Sequence, residues 1–194
     1  MARKDDDDDE VEAGAITLRH FMRLARLLRA RGHSNGLNPA QWEALRYLAV
    51  ANQFSNTPGA MARYLGATKG TTSQTVLSLE SKGLVAKLAK PGDQRQMGLA
   101  LTDAGRAILS NDALAAFAGD IENLKSKTRR RFARAVSDLL DAEVARLGEG
   151  SFGVCVSCRY FREVGNGEAS HCMKFAQSLL ASDETLLCAE HVPR

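Results

Sequence analysis

The chain holds four cysteines, Cys155, Cys158, Cys172 and Cys188, all crowded toward its C-terminal end. A Cys-x2-Cys pair sets two thiolates on one metal, because the intervening turn brings both sulfurs to the same side. In a reducing compartment such a crowd argues for metal more than for disulfides. His171, beside Cys172, and His191, which makes Cys188-x2-His191, are possible substitute ligands. Two metal readings stay open. Zinc, as Zn2+, can use Cys155, Cys158, Cys188 and His191, or all four cysteines. A 4Fe-4S cluster needs four thiolates and an apolar wrap. Zinc would be a redox-silent brace, whereas a cluster that is lost or oxidised supplies a switch, and thiol oxidation is a third route to sensing.

A second constellation suits a polyanion. Thr68, Lys69, Thr71, Thr72, Ser73 and Gln74 open a short helical stretch with hydroxyls, one cation and one amide, groups that meet base edges and phosphate oxygens. Gln74 can grip an adenine through its amide, for about 1–3 kcal/mol of discrimination. Farther on, two short apolar runs flank Lys90-Pro91-Gly92-Asp93-Gln94-Arg95, a β-hairpin that displays a fixed cation at its tip. Arg95 fits a narrow minor groove, where the negative potential is enhanced. Asp93 would be repelled by phosphates and is read as the clamp that holds Arg95.

These groups need elements to hold them. Leu18, Phe21, Met22, Ala25 and Leu28 predict a first helix over about 16–30. Asn38-Pro39 and Thr57-Pro58 each read as a cap followed by proline at the first helical position. Thr68 caps the next helix, about 69–82, and the tight turn before it makes a helix-turn-helix. The hairpin follows, then Thr102 and Asp103 cap a long helix from about Ala104, with a second long helix over about 127–147. The basic residues around the start of that last helix, Lys125 to Arg134, read mainly as a solvated face. The fold class is mainly α (α+β): a winged helix-turn-helix with a two-stranded wing, flanked by N- and C-terminal dimerisation helices. Its expected divisions are an acidic disordered tail over 1–14, the winged-helix unit over 15–147 and a Cys-rich appendage over 148–194.

Composition agrees. An apolar fraction of 44% with 25% charged residues is that of a globular protein. The acidic start, Asp5 to Glu12, hides a basic remainder behind a formal net charge of +3. No apolar run is long enough to span a bilayer and no export segment opens the chain, so a cytoplasmic location without a membrane partner is expected.

The winged-helix pattern resembles the MarR family of regulators across about residues 15–147. The likeness is carried by Leu65-Gly66-Ala67-Thr68, by Val76-Leu77-Ser78-Leu79-Glu80-Ser81-Lys82-Gly83-Leu84-Val85, and by Asp93-Gln94-Arg95 with Leu99 to Gly105 in the wing. That family's wing more often carries two consecutive arginines after the aspartate, so Gln94 removes one cation. The resemblance implies a homodimer on double-stranded DNA, and a small-molecule or redox effector. Over about 35 residues the tail, Cys155-Val156-Ser157-Cys158-Arg159-Tyr160-Phe161 with Cys172 and Cys188, looks like the high-potential iron–sulfur proteins and related small cluster domains.

The expectation is therefore a sequence-specific DNA-binding regulator, read as a repressor, acting as a homodimer on a pseudo-palindromic operator. Alternatives are an iron–sulfur redox protein, or a protein-interaction module that uses the winged helix as scaffold. The apolar stripe on the terminal helices is expected to pair across the dimer, unless the cysteine tail folds back over it. No catalytic constellation is visible, and an enzyme is not expected.

Overall fold

A computed structural model describes residues 3–89, 97–148, 150–164 and 169–194, with side chains from residue 13 onward. Its helices are α1 (Arg3–Ala30), α2 (Pro39–Val50), α3 (Pro58–Tyr64), α4 (Lys69–Ser81), α5 (Asp103–Leu109), α6 (Ala115–Glu122) and α7 (Ser126–Leu147). A two-stranded ribbon, β1 (Val85–Ala89) and β2 (Met97–Leu101), sits between α4 and α5 with Val85 opposite Leu101 and Ala89 opposite Met97. This is a winged helix.

Local chemistry starts most of these elements. Asn38 accepts from the Gln41 amide while Gln41 returns a bond to the Asn38 amide, a reciprocal cap with Pro39 at the first position. Thr57, Thr68 and Thr102 cap α3, α4 and α5 through their hydroxyls. Each such cap contributes about 1 kcal/mol. At Gly105 no side chain fits, because a Cβ there would lie 2.2 Å from the Leu84 carbonyl oxygen. That close approach seats α5 against the turn between α4 and β1. The Thr102 hydroxyl fixes the same corner by donating to the Gly83 carbonyl at 2.6 Å.

Burial holds the elements together. Trp42, Leu45 and Tyr47 from α2, Met61 from α3, Leu79 from α4 and Leu99 from β2 form the centre of the core. Each fully buried side chain of this size is worth about 1.5–3 kcal/mol. Among the described residues, α7 buries nothing, and Leu139 and Leu140 are 66% and 61% exposed. On α1, Leu18, Phe21 and Met22 are also exposed.

Three expectations need correction. The acidic stretch read as a disordered tail over 1–14 is instead drawn into α1, which starts at Arg3; carboxylates suit the positive end of a helix dipole. The single long helix from Ala104 is broken into α5 and α6. Asp112 stops it by turning its carboxylate onto the Leu114 amide and onto Arg46 of α2. Finally, the cysteine tail is not a free appendage, nor does it fold over α7. Ala189 lies within the winged-helix core, and Phe152 packs against that core beside Tyr47 and Tyr64.

The tail is built from short antiparallel pairs: β3 (Gly153–Val154) with β7 (Leu187–Cys188), and β4 (Phe161–Arg162), β5 (His171–Cys172) and β6 (Gln177–Ser178) in order. One-turn 3₁₀ segments at Cys155–Ser157 and Ala181–Thr185 complete it.

Candidate functional site

The first candidate surface is the outer face of α4. Thr68, Lys69, Thr71, Ser73 and Gln74 are all exposed there. The hydroxyls of Thr68 and Thr71 lie 2.9 Å apart, and Thr68 also caps the helix, so these two are already engaged locally. Lys69, Ser73 and Gln74 have no partner among the described residues and project from the first two turns. Behind them, Gln41 of α2 donates to the Ser78 hydroxyl at 2.8 Å and fixes how α4 lies on α2. Lys82 is held by the Gly36 carbonyl at 2.7 Å, and Lys87 of the wing by Glu80 at 2.7 Å.

Thr72 does not join that face. It is 3% exposed and turned into the core, with its hydroxyl oxygen unpartnered among the described residues. One helical turn separates Thr72 from Val76, and both point inward with Leu79. Residue type alone groups Thr72 with its polar neighbours, whereas helical phase turns it inward. Asp93 and Arg95, expected at the wing tip, lie outside the described residues; the strands that lead to them are paired as expected.

The second candidate site is in the tail. Cys155, Cys158, Cys172 and Cys188 are all buried, all free of disulfides, and all line one cavity. Phe161 and Leu179 close its apolar side, and Tyr160 and Phe175 add aromatic wall. Lys174 and Glu190 stand at its polar rim, joined to each other at 2.8 Å. Neither candidate histidine lines this cavity. His171 alternates away from Cys172 on β5, with Nε2 3.5 Å from the Ser178 hydroxyl. His191 lays its ring against Gly153, where a Cβ would come within 2.6 Å of it, and its Nε2 lies 3.0 Å from the Ser157 hydroxyl. Among the described residues no set of three or more His, Cys, Asp or Glu side chains is placed to hold a single metal ion.

The environment of Cys155 is unusual. Burial pushes its thiol up to about 11, against the opposing pull of a hydrogen bond from Asn52. That bond, Asn52 Nδ2 to Cys155 Sγ at 3.5 Å, joins the tail to the loop between α2 and α3. More links converge on the same loop. The Asn52 amide donates to the Leu187 carbonyl at 2.9 Å, and the Ala189 amide donates to the Ser55 hydroxyl at 2.7 Å. Asp183 accepts from the Gln53 amide, and Phe54 stacks on Phe175 at 4.3 Å. Arg63 of α3 reaches Glu190 at 3.0 Å, and the hydrogen bond from Lys174, with a second from Arg63, holds that carboxyl below the usual carboxylate range.

Asn52 and Ser55 were missed by the sequence reading. Their partners stand 103 and 134 positions away, and no local spacing signals a bond of that span.

Comparison with known proteins bears on the fold. Residues 35–96 match a family model described as MarR family. Among solved structures, a MarR transcriptional regulator from Methanosarcina mazei Go1 superposes with a TM-score of 0.55 at 18% identity, covering 69% of this chain and 98% of that one. The MarR family transcription regulator SP03579 gives 0.58 at 19% identity, over 76% and 98%. The S. aureus MepR–DNA complex gives 0.51 at 18% identity, over 64% and 96%. The architecture is thus the winged-helix fold of MarR regulators. No curated protein sequence matches the chain. Among the described residues no helix is long and apolar enough to cross a membrane.

Proposed function

We propose that the protein is a sequence-specific DNA-binding transcription regulator that acts as a homodimer on a pseudo-palindromic operator. The observation that carries this reading is the exposed face of α4. Lys69, Ser73 and Gln74 stand free on the second helix of a helix-turn-helix, with the wing directly after it. Lys69 supplies phosphate attraction, Gln74 supplies base readout in the major groove, and Arg95, in the sequence that joins β1 to β2, is assigned to the minor groove, with Asp93 as the clamp its sequence position suggests. The S. aureus MepR structure named above is a complex with DNA, which supports the same use of this fold here.

The exposed apolar faces of α1 and α7 support the homodimer, since a monomer would leave both in water. A two-fold pair places two recognition helices about one turn of DNA apart. Occupying such a site blocks other proteins from it, and the reading is therefore of a repressor. The cysteine centre at Cys155, Cys158, Cys172 and Cys188 serves it as metal sensor or structural brace, with iron–sulfur and zinc as its two chemistries.

The test is a mobility shift on genomic fragments at two salt concentrations, with wild type and Arg95→Ala side by side. Binding that falls steeply as salt rises, and weakens further in Arg95→Ala, is the expected result. A protein that ignores every fragment at low salt, with its cysteine centre loaded and stripped, overturns the reading.

A further inference from the structure

We propose that the acidic start of α1 in one protomer docks along the basic start of α7 in a second copy of the chain, and that this pairing of charges sets the register of the dimer. The inference rests on the homodimer reading above and adds which helix meets which. α1 stands off its own protomer: every residue from 13 to 27 is exposed, Leu18, Phe21 and Met22 among them. α7 likewise buries nothing among the described residues, and Val136, Leu139 and Leu140 are all exposed. Each helix therefore has an apolar face that its own chain does not cover.

Each helix also carries a run of one charge. The first turns of α1 hold Asp5 to Asp9, Glu10 and Glu12. Aspartate is a poor helix former and like charges one turn apart repel, so a helix through this run gains from cations supplied by another element. α7 has the opposite excess. Lys125 at its N-cap, then Lys127, Arg130, Arg131 and Arg134, crowd its start, where the helix dipole is already positive and the first turn holds no acidic residue. Arg129 is answered by Glu122, whereas those five are exposed and form no ion pair among the described residues.

A parallel pairing answers both. Setting Phe21 against Leu139 and Met22 against Leu140 puts Leu18 against Val136 and Arg23 against Asp141. The same register brings Asp7, Asp9 and Glu12 level with Lys125, Lys127 and Arg130. One alignment thus matches apolar with apolar residues and each charge with its opposite. Pairing like with like does not. Two antiparallel α1 helices with their apolar stretches matched carry each acidic run past the other's Ala30. Two antiparallel α7 helices centred on Leu139 and Leu140 set Asp138 opposite Asp141. The occupant of each face is therefore the other helix, contributed by a second copy.

The experiment measures self-association of the full chain by sedimentation at low and high salt. One variant carries Asp7→Lys, Asp9→Lys and Glu12→Lys, a second carries Lys125→Glu, Lys127→Glu and Arg130→Glu, and a third carries all six. Each triple variant should weaken the dimer by about tenfold or more at low salt, since several ion pairs are lost together and replaced by repulsion. The sixfold variant restores opposite charges and should return close to wild type, which also shows that the triple variants lost affinity and not their fold. High salt should shrink all these differences. A triple variant that dimerises as wild type does, a sixfold variant no tighter than the triples, or a wild type that stays monomeric overturns the pairing. A mobility shift on the same samples judges the regulator reading separately. A wild type that dimerises through these charges and ignores every genomic fragment loses that reading and keeps the pairing. One that binds DNA while both triple variants dimerise normally keeps the reading and loses the pairing.

Discussion

Lys69 and Gln74 are both exposed on α4, yet their chemistry separates under substitution. Lys69→Ala removes a point charge, so binding should weaken about equally on every sequence, and the slope of log affinity against log salt should fall by about 1. Gln74→Ala removes a bidentate amide; it should cost about 1–3 kcal/mol on the preferred operator and relax discrimination at one base pair. Fluorescence anisotropy with matched and mutated operators reads both effects. Thr72 provides the control. Its hydroxyl is buried without a partner among the described residues, so Thr72→Val should leave operator affinity unchanged and stabilise the fold by about 1 kcal/mol through relief of an unmet hydrogen bond. A thermal melt alongside the binding curve checks it, and lost affinity with an unchanged melting temperature would place Thr72 on the DNA face after all.

At the scale of elements, the join between α2 and the α5–α6 corner depends on Arg46 and Asp112. The guanidinium meets both carboxylate oxygens, at 2.6 and 2.7 Å, with both side chains mostly shielded from solvent. The hydrogen bond from Arg46 holds the Asp112 carboxyl below its ordinary value. A carboxyl depressed in the folded state stabilises above the ordinary carboxylate pKa, and that contribution fades as pH falls through the depressed value. Asp112→Asn should therefore cost about 1–2 kcal/mol at neutral pH, and wild type and variant should converge in urea melts as the medium becomes strongly acid. This corner also marks the boundary of what sequence can report. The caps at Asn38, Thr57, Thr68 and Thr102 were readable because a cap and its amide lie three residues apart. The break at Asp112 was not, because Arg46 lies 66 positions away and only the folded chain brings them together. The crowding of the four cysteines follows from residue type and the Cys-x2-Cys spacing, whereas the docking of that segment through Asn52, Ser55 and Ala189 does not. Thr72 is placed by helical phase and not by residue type.

For the whole molecule, the unpartnered apolar faces have the largest consequence. Leu139 and Leu140 on α7 are more than half exposed, as are Leu18 and Phe21 on α1, and among the described residues α7 buries nothing within its own chain. Because these side chains are more than half exposed in the protomer, charging them should not unfold it. Where the proposed homodimer pairs through these faces, Leu139→Glu with Leu140→Glu should thus leave the helix content and melting of the winged helix close to wild type while shifting the sedimentation coefficient from dimer to monomer. The monomer still carries α4 and the wing, so it should retain weak, salt-sensitive binding to a single half-site. Under the proposed homodimer, what it would lose is the linkage that makes engagement of the second half-site intramolecular, which is commonly worth about 10²–10⁴ in overall affinity. Moving the half-sites apart by about half a turn, roughly 5 bp, should then weaken wild type strongly and leave the monomeric variant indifferent, since only a rigid pair registers the phase of the duplex. A doubly charged variant that still sediments as a dimer would show that the two chains pair through other surfaces.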